Sequence, residues 1–84
     1  MIAENVVYQK LTEIFADVFF RDDIVLSPNL AAKDVEGWDS IKHIEIVIAA
    51  EEYFKFKFMS SELDNMRTLS DLVRPIVQRG AAPV

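Results

Sequence analysis

The feature that most constrains the fold is the stretch Gly37–Phe54, which starts with turn and capping residues and continues as the longest helical pattern in the chain. It predicts a helix from about Ser40 to Phe54. Apolar residues lie at helical spacing on more than one side of that helix: Ile44, Val47, Ile48 and Tyr53 form part of a face, and Ile46, Ala50 and Phe54 widen it. A helix this broadly apolar must be contacted from several directions. The stretch therefore predicts a bundle of helices.

The remaining segments supply the other helices. Residues 4–20 have apolar side chains at three- and four-residue steps, which predicts an amphipathic first helix. Residues 22–38 read as a long ordered loop with one short helical turn, pinned by its own apolar residues. Residues 54–58 alternate Phe and Lys; without a second strand to pair with, they are interpreted as a helix end and an extended connector that buries Phe56 and Phe58.

The last third of the chain predicts two further helices. Serine at 60 and 61 is expected to cap a short third helix that reaches residues 63–66. Thr68 and Asp71 have the spacing of a capping box and should open a fourth helix, which Pro75 should kink near Arg74. The predicted fold class is all-α: a small four-helix bundle of three longer helices and a short third one, with a long loop between helices 1 and 2.

Length and composition fit this architecture. Eighty-four residues predict a single domain over 1–84, with a core at about 4–79 and a frayed tail at 80–84. The chain has no cysteine, so neither a disulfide nor a thiolate zinc site holds it together. We expect a monomer.

The net charge of −5 bears on the partners. It disfavours nucleic acid, whose phosphates attract Lys and Arg, and it favours proteins with basic docking surfaces. The longest uncharged apolar run, residues 46–50, is far below the ~20 residues of a membrane span. No signal peptide is recognisable at the N-terminus, and we expect a cytoplasmic protein.

Ser40 has a position that predicts a chemical role. Asp39 is a good N-cap, because its carboxylate accepts hydrogen bonds from first-turn N–H groups and suits the positive end of the helix dipole. Ser40 then occupies the first helical position with its hydroxyl free. A phosphate attached there would lie beside unpaired N–H groups, which is a favourable anion site.

The surrounding pattern resembles a known family. The run Gly37-Trp38-Asp39-Ser40-Ile41, followed by Ile44, Glu45, Glu51-Glu52 and Phe54, is similar to the acyl carrier and peptidyl carrier proteins, and residues 66–73 resemble the lead into that family's last helix. Ile41 replaces the family's leucine. The resemblance covers roughly residues 24–77. It implies a carrier without catalytic activity, with 4′-phosphopantetheine attached to Ser40 next to Asp39. Trp38 and the Lys42-His43 pair favour a specialised carrier, and the start at Met1 favours a free-standing one, with a carrier cut from a synthase as the alternative.

The resemblance also implies a mechanism and partners. The arm would hold an acyl or aminoacyl group as a thioester and deliver it to other enzymes. The expected partners are a phosphopantetheinyl transferase and the enzymes that load, transfer and condense acyl groups. Partner-docking positions carried over from the family are Ile41, Glu45, Ile48, Glu51 and Glu52. An acyl pocket is expected between helices 2 and 3, near Ile46, Ala50, Leu63 and Met66.

Simpler interpretations stay open at this stage. In one alternative the acidic face is only solvated, and both isoleucines pack in the core. A helical adaptor that binds partners without modification is the alternative function. His43 follows Ser40 by three residues, but a catalytic serine also needs an orienting group and an oxyanion site, so His43 is more often a surface residue. The acidic residues lack a calcium-loop pattern, and no metal site is expected. Lys42, His43, Lys55 and Pro75 depart from the family pattern.

Overall fold

The chain folds into four α-helices in the computed structural model, which describes residues 2–81. They are α1 (Glu4–Phe19), α2 (Ser40–Phe54), α3 (Ser60–Asp64) and α4 (Leu69–Arg79), with one 3₁₀ turn at Ala32–Asp34 inside the loop between α1 and α2. Residues 2–81 contain no strand. The predicted all-α architecture of three longer helices and a short third one is confirmed. No helix among residues 2–81 combines the length and apolar character needed to cross a lipid bilayer.

The three longer helices bury one continuous apolar core. Helix α1 packs against both α2 and α4, and the short α3 rests on α4. Each large apolar side chain removed from water in this way contributes about 1.5–3 kcal/mol. The completely buried side chains are Val7, Leu11 and Phe15 from α1, Ile46, Ala50 and Phe54 from α2, and Ile76 from α4.

Helix α2 is less buried than its apolar pattern predicts. Ile44, which the sequence grouped with Val47 on an apolar face, is 56% exposed, and Ile48, expected to be a docking residue, is 49% exposed. The reason is that only one stripe of α2, which contains Ile46, Val47, Ala50 and Phe54, belongs to the apolar core that α2 shares with α1 and α4. Helical spacing shows which apolar residues share a face of the helix, but it does not show which of two apolar faces the other helices bury.

The loop between α1 and α2 is held by long-range hydrogen bonds at the start of α4. The N–H of Leu69 donates to the carbonyl of Leu30 at 2.8 Å, and the N–H of Ser70 donates to that of Pro28 at 3.1 Å. These are two of the first-turn N–H groups that have no partner within a helix. Val35 adds a buried apolar anchor to the loop. The loop is therefore ordered, as predicted.

The ends of α3 and α4 differ from the predictions in detail. Met59, not a serine, precedes α3, and the Glu62 carboxylate accepts a hydrogen bond from the Met59 N–H at 2.7 Å. The Asp71 carboxylate accepts from the Thr68 N–H at 3.2 Å, which is one half of the predicted capping box. Helix α4 runs through Pro75 without a break.

Two segments beyond the helices are packed. In the connector after α2, Phe58 is buried and Phe56 is half-buried, with their ring centroids 4.6 Å apart. Gly80 is buried, and the Ala81 N–H donates to the Phe54 carbonyl at 2.7 Å, so these residues are held rather than frayed. The rest of the expected tail, residues 82–84, lies outside the described residues.

Candidate functional site

Ser40 lies at the first residue of α2, directly after its N-cap. Asp39 has extended backbone geometry, and its Oδ1 accepts a hydrogen bond from the Lys42 N–H at 2.9 Å. This is the capping arrangement predicted from the sequence. The preceding turn requires Gly37, whose φ of 89° is unfavourable for residues with a side chain. Because Asp39 does the capping, Ser40 is left with an exposed side chain at the positive end of the helix.

An aromatic cluster fixes the turn that leads into Ser40. The Trp38 ring meets the Phe15 ring edge-on, with centroids 5.2 Å apart and planes at 89°, and it lies 6.3 Å from the Phe19 ring. Phe15 is completely buried in the core. The residue two positions before Ser40 is thus anchored to α1, which limits the movement of the turn.

His43 stacks on the other side of Trp38. The two ring centroids are 6.1 Å apart with planes at 23°, and the indole N–H donates a long hydrogen bond of 3.4 Å to His43 Nδ1. His43 is half-buried rather than a surface residue, and this burial lowers the pKa of the imidazole from its ordinary value. In a catalytic triad, the base accepts the serine proton at one ring nitrogen, and an acidic group accepts the N–H of the other. Here Nδ1 of His43 instead accepts the N–H of Trp38, so His43 and Trp38 are not arranged as the base and orienting group of a catalytic Ser40.

A cleft of about 490 Å³ opens beside Ser40. It lies between the start of α2, the short α3 and the start of α4. Its apolar lining is Ala32, Trp38, Ile44, Leu63, Met66, Leu69 and Leu72, and its polar lining is Asp39, Ser40, His43, Arg67 and Thr68. A pocket with apolar walls and a few polar groups is the usual form of a site for a small organic group.

The cleft differs from the predicted acyl pocket in two of four residues. Leu63 and Met66 line it, but Ile46 and Ala50 are completely buried in the core and do not. Successive residues of a helix point about 100° apart, so the stripe that carries Ile46 and Ala50 faces α1 and α4. Ile44 takes the position toward α3.

The predicted docking residues separate into two groups. Ile41, Glu45, Ile48 and Glu52 are exposed and follow one another at four-, three- and four-residue steps, which places them on one stripe of α2. Ile41 is 69% exposed, which excludes the interpretation that both isoleucines belong to the core. Lys42 lies beside this stripe, with its Nζ 3.4 Å from Glu45 Oε2.

Glu51 does not belong to the stripe. Its side chain is only 14% exposed, and Oε2 accepts a hydrogen bond from the Phe58 N–H at 2.9 Å. The carboxylate therefore ties the connector after α2 back to the helix. Its neighbour Glu52 is exposed. The sequence Glu51-Glu52 gives no signal that separates these roles.

Sequence reasoning also missed the pairing of Trp38 with His43. The available signal was their five-residue spacing across the start of α2, which brings a side chain just before a helix near one in its first turn. The exposure of Ile44 was the second omission, and it determines where the cleft lies.

The region of this chain that resembles known proteins contains the site. Residues 9–76 match the family model described as the phosphopantetheine attachment site. The chain is 27% identical over 73 residues to an acyl carrier protein of Syntrophobacter fumaroxidans, covering 87% of this chain and 90% of that protein. It is 25% identical over 67 residues to an acyl carrier protein of aster yellows witches'-broom phytoplasma, covering 80% and 88%.

A solved structure has a similar fold. The solution structure of the holo acyl carrier protein from Geobacter metallireducens superposes with a TM-score of 0.78 at 34% sequence identity, covering 84% of this chain and 82% of that one. The matched family region contains Asp39, Ser40 and the whole of α2 and α3.

Proposed function

We propose a role for each part of the site on the premise that this chain belongs to the phosphopantetheine attachment family, as a non-catalytic acyl carrier protein that carries acyl groups on a phosphopantetheine arm. The proposal is that Ser40 is the attachment residue. One observation carries it: Ser40 is exposed at the first residue of α2, while Asp39 supplies the cap and leaves the serine hydroxyl available.

The residues around Ser40 fit a phosphate-linked group. In the attachment step Ser40 Oγ bonds to phosphorus, the bond from that phosphorus to the nucleotide part of coenzyme A breaks, and the hydroxyl proton is released. The N–H groups of Ser40 and Ile41 have no carbonyl partner within the helix, so they favour the new negative charge. Trp38 and Asp39 hold the turn so that Ser40 faces outward. When bound, the arm supplies a thiol that holds the acyl group as a thioester.

We propose that Ile41, Glu45, Ile48 and Glu52 form the docking stripe for partner enzymes. A phosphopantetheinyl transferase and acyl-handling enzymes are the partners that the family implies. The exposed isoleucines offer apolar area to bury, and the two carboxylates favour a basic partner surface. Glu51 is left out of this proposal because its carboxylate is engaged with Phe58.

We propose that the cleft beside Ser40 receives the acyl group. Ile44, Leu63 and Met66 give it an apolar interior within reach of the attachment residue. The methyl resonances of these residues should move when the arm carries an acyl group and should stay unchanged when it carries none. If these methyl resonances do not move when the arm carries a long acyl group, the acyl group lies outside the cleft.

Modification of Ser40 is tested by intact mass after incubation with coenzyme A and a broad-specificity phosphopantetheinyl transferase. The wild-type chain should gain one phosphopantetheinyl group, and Ser40→Ala should gain none. Ser60→Ala is a matched control, because Ser60 is also an exposed serine at the first residue of a helix. It should be modified like the wild type. Modification of Ser40→Ala would refute the assignment.

A further inference from the structure

The polar groups that line the cleft are not balanced between hydrogen-bond donors and acceptors. Asp39 Oδ1 is occupied by the Lys42 N–H. The Thr68 hydroxyl lies 2.8 Å from the Ser70 hydroxyl, so it already has a partner. Ser40 loses its own proton when the arm is attached, as the proposed function requires. The side-chain donors that remain in the lining are His43 and Arg67, and the acceptor that remains is Asp39 Oδ2.

His43 lines the cleft and carries one hydrogen-bond donor. A neutral imidazole has one nitrogen that accepts and one that donates. Because Nδ1 accepts the indole N–H of Trp38, the proton of the neutral ring is on Nε2. The half-burial that lowers the pKa of His43 keeps this neutral form at neutral pH. Stacking on Trp38, which is itself packed on Phe15, fixes the direction of the ring.

Arg67 adds donors of the same kind. It lines the cleft, and within residues 2–81 its guanidinium takes part in none of the ion pairs. Guanidinium has N–H donors and no acceptor. The cleft therefore combines an apolar interior with side-chain N–H groups that can donate to an oxygen atom of a bound group.

We propose that His43 is a specificity-determining residue of the cleft, which selects acyl groups that carry an oxygen acceptor, such as a 3-oxo or 3-hydroxy group, over fully saturated ones. The inference rests on the proposed function, since the acyl group must be attached through Ser40. Beyond the thioester carbonyl that every acyl group has, a saturated chain gives the imidazole N–H no acceptor. An oxygenated chain offers an acceptor while the rest of it stays in contact with Ile44, Leu63 and Met66.

The test loads the full chain with hexanoyl, 3-hydroxyhexanoyl or 3-oxohexanoyl groups, transferred as acyl-phosphopantetheine from the corresponding coenzyme A thioesters. Occupancy of the cleft is measured from the methyl shifts of Ile44 and Leu63, and the hydrogen bond from the ¹⁵N shift of His43 Nε2. In the wild type, both oxygenated groups should shift the Nε2 resonance beyond its position in the hexanoyl-loaded protein.

Substitution of His43 separates hydrogen bonding from packing. His43→Phe keeps an aromatic ring against Trp38 but has no donor. It should lower the occupancy of the oxygenated groups on the order of five-fold, as expected for the loss of one ordinary hydrogen bond, and leave that of hexanoyl unchanged. His43→Gln has both a donor and an acceptor and should restore part of the preference. His43→Leu, which has no donor either, replaces His43→Phe if that variant does not fold.

Four results would overturn the inference. Equal losses for saturated and oxygenated groups in His43→Phe would make His43 a packing residue only. An Nε2 shift that already appears with the arm alone, and does not change with the cargo, would assign the acceptor to the arm. Failure to load any group, visible in the intact mass before any NMR measurement, would refute the proposed function together with this inference. A loaded chain without discrimination would refute only the latter.

Discussion

Replacing Glu51 with alanine should destabilise the fold, whereas the same change at its neighbour Glu52 should not. Glu51 Oε2 accepts the Phe58 N–H at 2.9 Å from a side chain that is only 14% exposed. A hydrogen bond to a charged group contributes about 1.5–3 kcal/mol to stability. The nearby Lys57 Nζ, 3.7 Å from Oε1, adds little because the lysine is 86% exposed.

The magnitude follows from that single hydrogen bond. A loss of about 2 kcal/mol lowers the melting temperature of a domain of this size by roughly 8–16 °C, at about 4–8 °C per kcal/mol. Glu52 is exposed, and its replacement should change stability by no more than about 0.5 kcal/mol. Glu51→Gln keeps a neutral acceptor and should fall between the two.

Thermal unfolding followed by circular dichroism measures the melting temperatures of the two variants. Their affinity for a phosphopantetheinyl transferase measures the effect of each substitution on docking. We expect Glu52→Ala to weaken binding without changing the melting temperature. Glu51→Ala should lower the melting temperature and affect binding no more than its partial unfolding explains. Equal melting temperatures for the two variants, with the larger binding defect in Glu51→Ala, would refute the division of roles.

Three further predictions concern local structure. Asp39→Ala should lower the free energy of unfolding by about 1 kcal/mol in urea titrations, and Asp39→Asn by less, because asparagine also caps helices; equal losses would contradict the capping role. Lys55→Gly should raise stability by about 0.5–1 kcal/mol, since Lys55 ends α2 with a φ of 58° that only glycine adopts without strain, and an unchanged or lower urea midpoint would contradict this. The pKa of His43 is lowered in the folded state, so the imidazole of the unfolded chain binds a proton at a higher pH than that of the folded chain. The free energy of unfolding should therefore fall as pH drops through the ordinary pKa of about 6.5. This fall should be absent in His43→Phe, and a fall of the same size in both proteins would contradict the prediction.

The helices that the sequence predicted best are those with local signals at their ends. Helix α2 begins and ends where predicted, because Gly37, Asp39 and the apolar run to Phe54 act over short distances. The capping role of Asp39 follows from the same local rules. Such signals depend only on a residue and its immediate neighbours in the chain, so they can be read from the sequence without the fold.

The features that the sequence did not predict depend on contacts between distant segments. The carbonyls of Pro28 and Leu30 cap α4 across about forty positions of the chain, and nothing local marks them as acceptors. Likewise, Glu51 and Glu52 are adjacent and chemically identical. Only the path of the connector toward Phe58 shows that one of them is structural.

The location of the cleft was predicted only in part for a related reason. Helical periodicity correctly separates apolar from polar positions of α2, but both Ile44 and Ile46 satisfy it. Their environments differ because Ile46 belongs to the core that α2 shares with α1 and α4, whereas Ile44 lines the cleft together with Leu63 of α3. The predicted pocket therefore included two core residues, Ile46 and Ala50, and omitted Ile44.

The central claim, that Ser40 carries the arm, is tested most directly by locating the modification within the chain. Cleavage after Lys33 and Lys42 releases the peptide 34–42, in which Ser40 is the only residue with a hydroxyl side chain. After treatment with coenzyme A and a phosphopantetheinyl transferase, mass spectrometry should find the added phosphopantetheinyl group on this peptide alone. A modified chain whose peptide 34–42 keeps its unmodified mass would contradict the assignment.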